Sequence, residues 1–161
     1  MEQKTELTIS HLVSYFTYGL MAHDDYNNEV VLITGINKEY IYIKDRSFSR
    51  DYTEIKPILR TLDLNKEITH KGETFIPKRK LTDLGIADVY EFEFNGMDFI
   101  YEHETDFVSD GYGNEFHTIW IPMENQYKIY QKCFEWMFDM GGLIAQGLAI
   151  DVDLLEDNPY K

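Results

Sequence analysis

The sequence predicts an α+β fold. Its parts are a small curved antiparallel sheet, with an SH3-like barrel as the candidate architecture, an acidic β-hairpin insertion and one long C-terminal helix. Three observations carry this expectation. Short alternating runs punctuated by turn residues fill the first eighty positions. An Asn95-Gly96 pair lies between two alternating aromatic runs. One long helical stretch, 124–140, follows Pro122 and ends at Gly141-Gly142. With 161 residues, 43% of them hydrophobic and 15% aromatic, the chain can bury one core and is expected to form a single domain, 1–161.

In chain order, Thr8 is placed to cap a short helix. Ile9, Leu12, Val13 and Phe16 form its core stripe, and Gly19 lies past its end. Strands follow at 20–24, 29–36 and 39–44, separated by Tyr26-Asn27-Asn28 and by Asn37-Lys38. The run 52–60 reads as another strand, which Pro57 confines to an edge or a strand end. The segments 67–70 and 73–76 flank Lys71-Gly72 and read as a hairpin. Lys78-Arg79-Lys80 reads as a solvated hinge. The long helix has two apolar faces. One is Tyr127, Tyr130, Phe134, Met137 and Phe138; the other is Ile129, Cys133, Trp136 and Met140. Such a helix is buried or lies at an interface. The blocks are therefore a charge-neutral β-rich core at 1–80, an acidic β-rich insertion at 81–123, and a helix and tail at 124–155 packing on the core.

Charge is segregated. Residues 1–80 hold 12 basic and 12 acidic residues, whereas 81–161 hold 3 and 17, so the whole net charge of −14 falls in the second half. Positions 81–127 carry 11 acids and no Lys or Arg. Phosphates would be repelled by this half, which argues against direct nucleic-acid binding and for a basic partner surface or a cation. The lone Cys133 excludes an internal disulfide. No apolar run approaches the ~20 residues of a membrane span, and the N-terminus does not read as a secretion signal. A cytoplasmic protein without membrane contact is expected.

Two regions resemble a known group. They are Tyr18-Gly-Leu with 54–62 and 66–77, and the stretch 135–151, Glu-Trp-Met-Phe-Asp-Met-Gly-Gly-Leu-Ile-Ala-Gln-Gly-Leu-Ala-Ile-Asp. They are similar to small, functionally uncharacterised proteins of phages and prophages of gut Bacteroidales bacteria, over roughly 10–80 and 124–155. The resemblance implies a phage setting and a bacterial host cell, and it brings no catalytic residues.

The Asn95-Gly96 turn predicts a register in which Phe94 opposes Met97, Phe92 opposes Phe99 and Tyr90 opposes Tyr101 on one face. The other face then gathers Glu91, Glu93, Asp98, Glu102 and Glu104, with Glu93 opposite Asp98. Opposed like charges cost up to ~1 kcal/mol per pair. They serve either to prevent strand edges from pairing or to bind a partner. These five carboxylates are the candidate partner-binding residues.

Other sites are set aside. The stretch from Asp106 to Glu115 resembles a calcium loop only in part, with Val108 and His117 where ligands are needed. His103 and His117 could meet across paired strands as a divalent-metal site, but alternation places His103 on the aromatic face. Cys133 reads as an inert core residue. No phosphate loop, dinucleotide fingerprint, serine elbow or zinc-protease motif occurs. No cofactor, metal or catalytic residue is assigned. The expected function is a non-enzymatic binding protein that presents an acidic surface to a basic protein, in one version a nucleic-acid-mimicking inhibitor of a host defence system. The alternative is a structural or assembly component of a virion. The oligomeric state is left open.

Overall fold

The computed structural model describes residues 6–86, 93–94, 99–105, 115–120 and 123–161, and for 93, 100–105 and 115–120 it describes the backbone. The chain forms two compact units. The first comprises 1–63, 69–74 and 132–161; the second comprises 64–68 and 75–131. The architecture is α+β.

In the first unit, helix α1 (Ile9–Phe16) is followed by strands β1 (Met21–Asp24), β2 (Glu29–Ile36), β3 (Tyr40–Ile43), β4 (Ser49–Asp51) and β5 (Ile55–Leu59). Strand β11 (Ile150–Asp151) completes a six-stranded sheet in the order β11-β5-β1-β2-β3-β4. The sheet is antiparallel except for β11, which runs parallel to β5. It does not close into a barrel: its edges are β11 and β4. It is nevertheless strongly curved. In a flat sheet β1 and β4, three steps apart, would lie about 14 Å from one another. Yet Arg50 on β4 reaches Asp24 on β1 at 3.1 Å.

Alternation explains β1 to β3. Ala22, Val31, Ile33, Ile41 and Ile43 face one core, joined there by Leu12, Ile55, Met137 and Leu143. Asn37 supplies the β2–β3 turn, its carboxamide oxygen accepting the N–H groups of Glu39 and Tyr40 at 2.8 Å. Pro57 does not sit on an edge strand, because β5 lies between β11 and β1. The register explains why it is tolerated. The bond from Asp25 N–H to Glu54 O makes Ala22–Pro57 a pair that exchanges no hydrogen bonds, and β11 pairs only with Ile58 and Leu59. In α1 the buried residues are Leu12 and Tyr15, while Val13 of the expected stripe is 52% exposed.

The hairpin of β6 (Ile68–His70) and β7 (Glu73–Phe75) turns at Lys71-Gly72, with φ of 51° and 82°. Two consecutive positive φ angles are what a tight hairpin turn requires. Lys78-Arg79-Lys80 is no hinge. It lies in helix α2 (Pro77–Asp83), which Pro77 opens from the first helical position and which buries Leu81.

Helix α3 (Met123–Glu135) stops five residues short of the expected end. Met137 adopts φ +63°. Phe138 N–H bonds Cys133 O at 2.9 Å, and Met137 N–H bonds Phe134 O at 3.1 Å. This is a Schellman motif with methionine where glycine is usual. Burial of Met137 outweighs the left-handed backbone cost. Of the two expected faces, Ile129, Cys133 and Trp136 are buried, while Tyr127 is 64% exposed. Beyond the helix, Phe138 bridges Arg60 in parallel. Tyr160 is buried and donates its hydroxyl to Ile58 O at 2.7 Å, while Asp153, Glu156 and Asp157 are exposed.

In the second unit, β8 (Glu93–Phe94), β9 (Phe99–Thr105) and β10 (Glu115–Trp120) form a sheet in the order β10-β9-β8.

Candidate functional site

The acidic ribbon exists as an antiparallel sheet, but its register differs from expectation. Phe94 pairs with Phe99, and Glu93 with Ile100. The expected Asn95-Gly96 turn lies outside the described residues. Relative to the expected register the strands are offset by two residues, so the alternation is unchanged. The offset has two physical reasons. It removes Glu93 from its position opposite Asp98, and so the like-charge pair with it. It also brings the rings of Phe94 and Phe99 to 5.0 Å between centroids.

Phe99 anchors the sheet. It is fully buried, and the Tyr130 ring meets it edge-on at 5.3 Å. The Gln126 carboxamide brackets its backbone, accepting from Phe99 N–H at 3.0 Å and donating to Phe99 O. These are the two bonds a neighbouring strand would supply, so α3 holds β9 in place of one.

Of the five candidate carboxylates, Glu93 lies in β8, and Glu102 and Glu104 lie in β9 with register partners Thr118 and Phe116. Ile100, Glu102 and Glu104 follow one alternation along β9, and Glu93 opposes Ile100. The backbone thus gathers three of the five on one alternation of one sheet. Glu91 and Asp98 lie outside the described residues, as does 106–114 of the calcium-like stretch.

The acidic stretch 81–123 belongs wholly to the second unit, whose 62 residues carry 5 basic and 12 acidic side chains. Three of the five bases are Lys78, Arg79 and Lys80, clustered on α2, and Lys128 pairs with Glu124 at 2.7 Å. That bond holds the Glu124 carboxyl below its usual range.

Two buried polar groups in the first unit were not legible in the sequence. The first is Asp24, fully buried, with Arg50 Nε 3.1 Å from both its oxygens. Asp24 also accepts from the backbone N–H of Tyr26 and from Asn27 Nδ2. Rings of Tyr26 and Phe48 flank the guanidinium at 4.8 and 4.6 Å. The second is Arg60, which donates to Trp136 O at 3.0 Å and to Thr69 O at 2.8 Å. Nearby, His70 is buried against Tyr160 with neither ring nitrogen hydrogen-bonded. Burial, with Lys71 and Arg60 adding to it against an opposing pull from Glu135, lowers the His70 pKa to about 4. No local pattern marks the Asp24–Arg50 pair or the Arg60–Trp136 bond, because those partners lie 26 and 76 residues apart.

A pH dependence follows. An unfolded histidine titrates near 6.5. His70 stays neutral in the fold to about pH 4, so between these values the unfolded chain binds more protons. The contribution is full above pH 6.5 and is lost as pH falls towards 4, by about 2–3 kcal/mol. His70→Phe is expected to flatten that part of the stability profile, as read by urea denaturation at pH 7.0, 5.5 and 4.5. A variant with the wild-type slope would contradict the assignment.

Cys133 is fully buried, which pushes its thiol up to about 12 and leaves no thiolate for nucleophilic chemistry. Among the side chains described, no group of three His, Cys, Asp or Glu could hold a metal. No helix among the described residues is long and apolar enough to cross a membrane. Comparison of the chain with protein-family models, curated proteins and solved structures gives no match.

Proposed function

We propose that this chain is a non-enzymatic binding protein whose acidic sheet engages a basic protein surface. In the phage setting suggested by the sequence resemblance, the basic surface is the nucleic-acid groove of a host defence protein, and the sheet occupies it as a duplex mimic. One observation carries the reading: 11 acids without a Lys or Arg over 81–127, three of them on a single alternation of β8 and β9. Concentrated like charge costs stability that a scattered surplus would not. Carboxylates along a ribbon complement Lys and Arg side chains placed for phosphates.

The experiment is a competition. Labelled duplex DNA is bound to a basic, sequence-independent DNA-binding protein, and the chain is titrated in at 50, 150 and 400 mM salt. A mimic displaces the DNA, with an apparent affinity that falls steeply as salt screens the contact. No displacement at 50 mM salt would reject the mimic.

A second reading, a structural or assembly component of a phage particle, is favoured by the start of α3, where Met123 and Tyr127 are exposed. Association through that face would be apolar, and raising salt would not weaken it.

A further inference from the structure

His70 is buried, and neither ring nitrogen has a hydrogen-bond partner. Charged groups act on it from three places. Arg60, just past the end of β5, and Lys71, in its own turn, are positive, while Glu135, at the end of α3, opposes them. The segment 158–161 lays the Tyr160 ring against the imidazole, 5.9 Å between centroids. That segment is fastened at few points. Tyr160 O accepts from Lys71 N–H at 2.6 Å, and Asn158 Nδ2 donates to Thr69 O at 3.2 Å. The Tyr160 hydroxyl accepts from Met21 N–H at 3.0 Å and donates to Ile58 O. Between Val152 and Tyr160 no residue is buried, so Tyr160 is what holds this stretch of chain down.

A proton on His70 creates an imidazolium with two N–H donors and no acceptor, close to two cations. An unpaired buried charge costs more than parting a few bonds at the surface. Short exposed segments open locally before a sheet does, so the cover that yields is 158–161. We propose that His70 is a proton-operated latch: its protonation releases Tyr160 and 158–161 from residues 69–71 while the six-stranded sheet stays folded. Release frees Met21 N–H and Ile58 O, at the point where the β1–β5 register stops at Ala22–Pro57. The latch lies wholly in the first unit and is independent of the role of the acidic sheet.

Amide hydrogen exchange of the full chain, followed by NMR from pH 7.5 to 4.5, tests the latch. Protection factors remove the intrinsic pH dependence of exchange. The reporters are Lys71 and Met21 N–H, whose acceptors belong to Tyr160; Ile33 N–H, bonded to Leu20 O, reports on the sheet. An exposed histidine titrates near 6.5 and His70 at about 4, so the opening constant at both reporters should rise about tenfold per pH unit, or about 100-fold from pH 6.5 to 4.5. In His70→Phe that slope should vanish, with circular dichroism confirming the fold. A second measurement needs no variant. Local opening exposes little surface, so about 1 M urea should leave exchange at Lys71 and Met21 unchanged while it accelerates exchange at Ile33. A flat pH profile in the wild type, the wild-type slope in folded His70→Phe, or the same urea dependence at all three amides would each overturn the proposal.

Discussion

Asp24→Ala is expected to cost the first unit about 3–5 kcal/mol, the penalty for stranding a buried charge without its partner. Arg50 is almost wholly buried and bonds both Asp24 oxygens, and its Nη2 has no hydrogen-bond partner to fall back on. The same substitution deprives the Tyr26 N–H and Asn27 Nδ2 of their acceptor. Against a total stability of about 5–15 kcal/mol, the variant is left marginal. The double variant Asp24→Leu/Arg50→Met removes both charges and is expected to recover most of the loss. Urea denaturation of the three proteins at pH 7 tests this, and a loss below about 1 kcal/mol in Asp24→Ala would contradict it. Burial alone would raise the Asp24 carboxyl, but bonds from Arg50, Asn27 and the backbone N–H groups outweigh it and hold it below its usual range. Its contribution is therefore complete above the unfolded value of about 3.9 and is lost only as pH falls through the lower folded value. That window lies below most of the one in which His70 acts.

Trp136→Ala carries the second large effect, about 3–5 kcal/mol. Trp136 occupies the cap position of the motif that ends α3 and is 4% exposed, while its carbonyl accepts from Arg60. Phe134 is only half-buried, with its ring edge-on to Tyr15 at 5.0 Å, so Phe134→Ala should cost less. Denaturation midpoints check the order. If Trp136→Ala melts like the wild type while self-association is lost, the indole belongs to an interface between chains rather than to the core.

Strands β1, β2 and β3 were legible to within a residue, because Ala22, Val31, Ile33, Ile41 and Ile43 alternate cleanly and Asn28 and Asn37 mark the turns. The two- and three-residue strands β11 and β4 are too short to show a period. Helix α2 carried a readable signal in Pro77, but the basic triplet behind it obscured a helix that buries only Pro77 and Leu81. The end of α3 was hidden because methionine, not glycine, takes the left-handed position. The β8–β9 register was misjudged because turn preference alone set it, whereas ring packing of Phe94 and Phe99 and the Gln126 bracket operate over longer range. The acidic character of the candidate site was fully legible, since charge is a property of composition. The opposition of His103 to His117 could be raised from the sequence only as one possibility, since it depends on how β9 and β10 pair.

The central claim is that the acidic sheet is the binding surface. The most direct measurement is made on one variant, with Glu91, Glu93, Asp98, Glu102 and Glu104 all changed to Gln. Melting temperature, light scattering and displacement of DNA from the basic probe are recorded at 50 and 150 mM salt. Removing crowded carboxylates relieves repulsion, so the variant should melt no lower than the wild type. The expected result is a well-folded, monodisperse protein that no longer displaces DNA at either salt. A well-folded variant that displaces DNA as the wild type does, and differs only in a greater tendency to aggregate, would show that these charges merely keep strand edges apart, and would contradict the account.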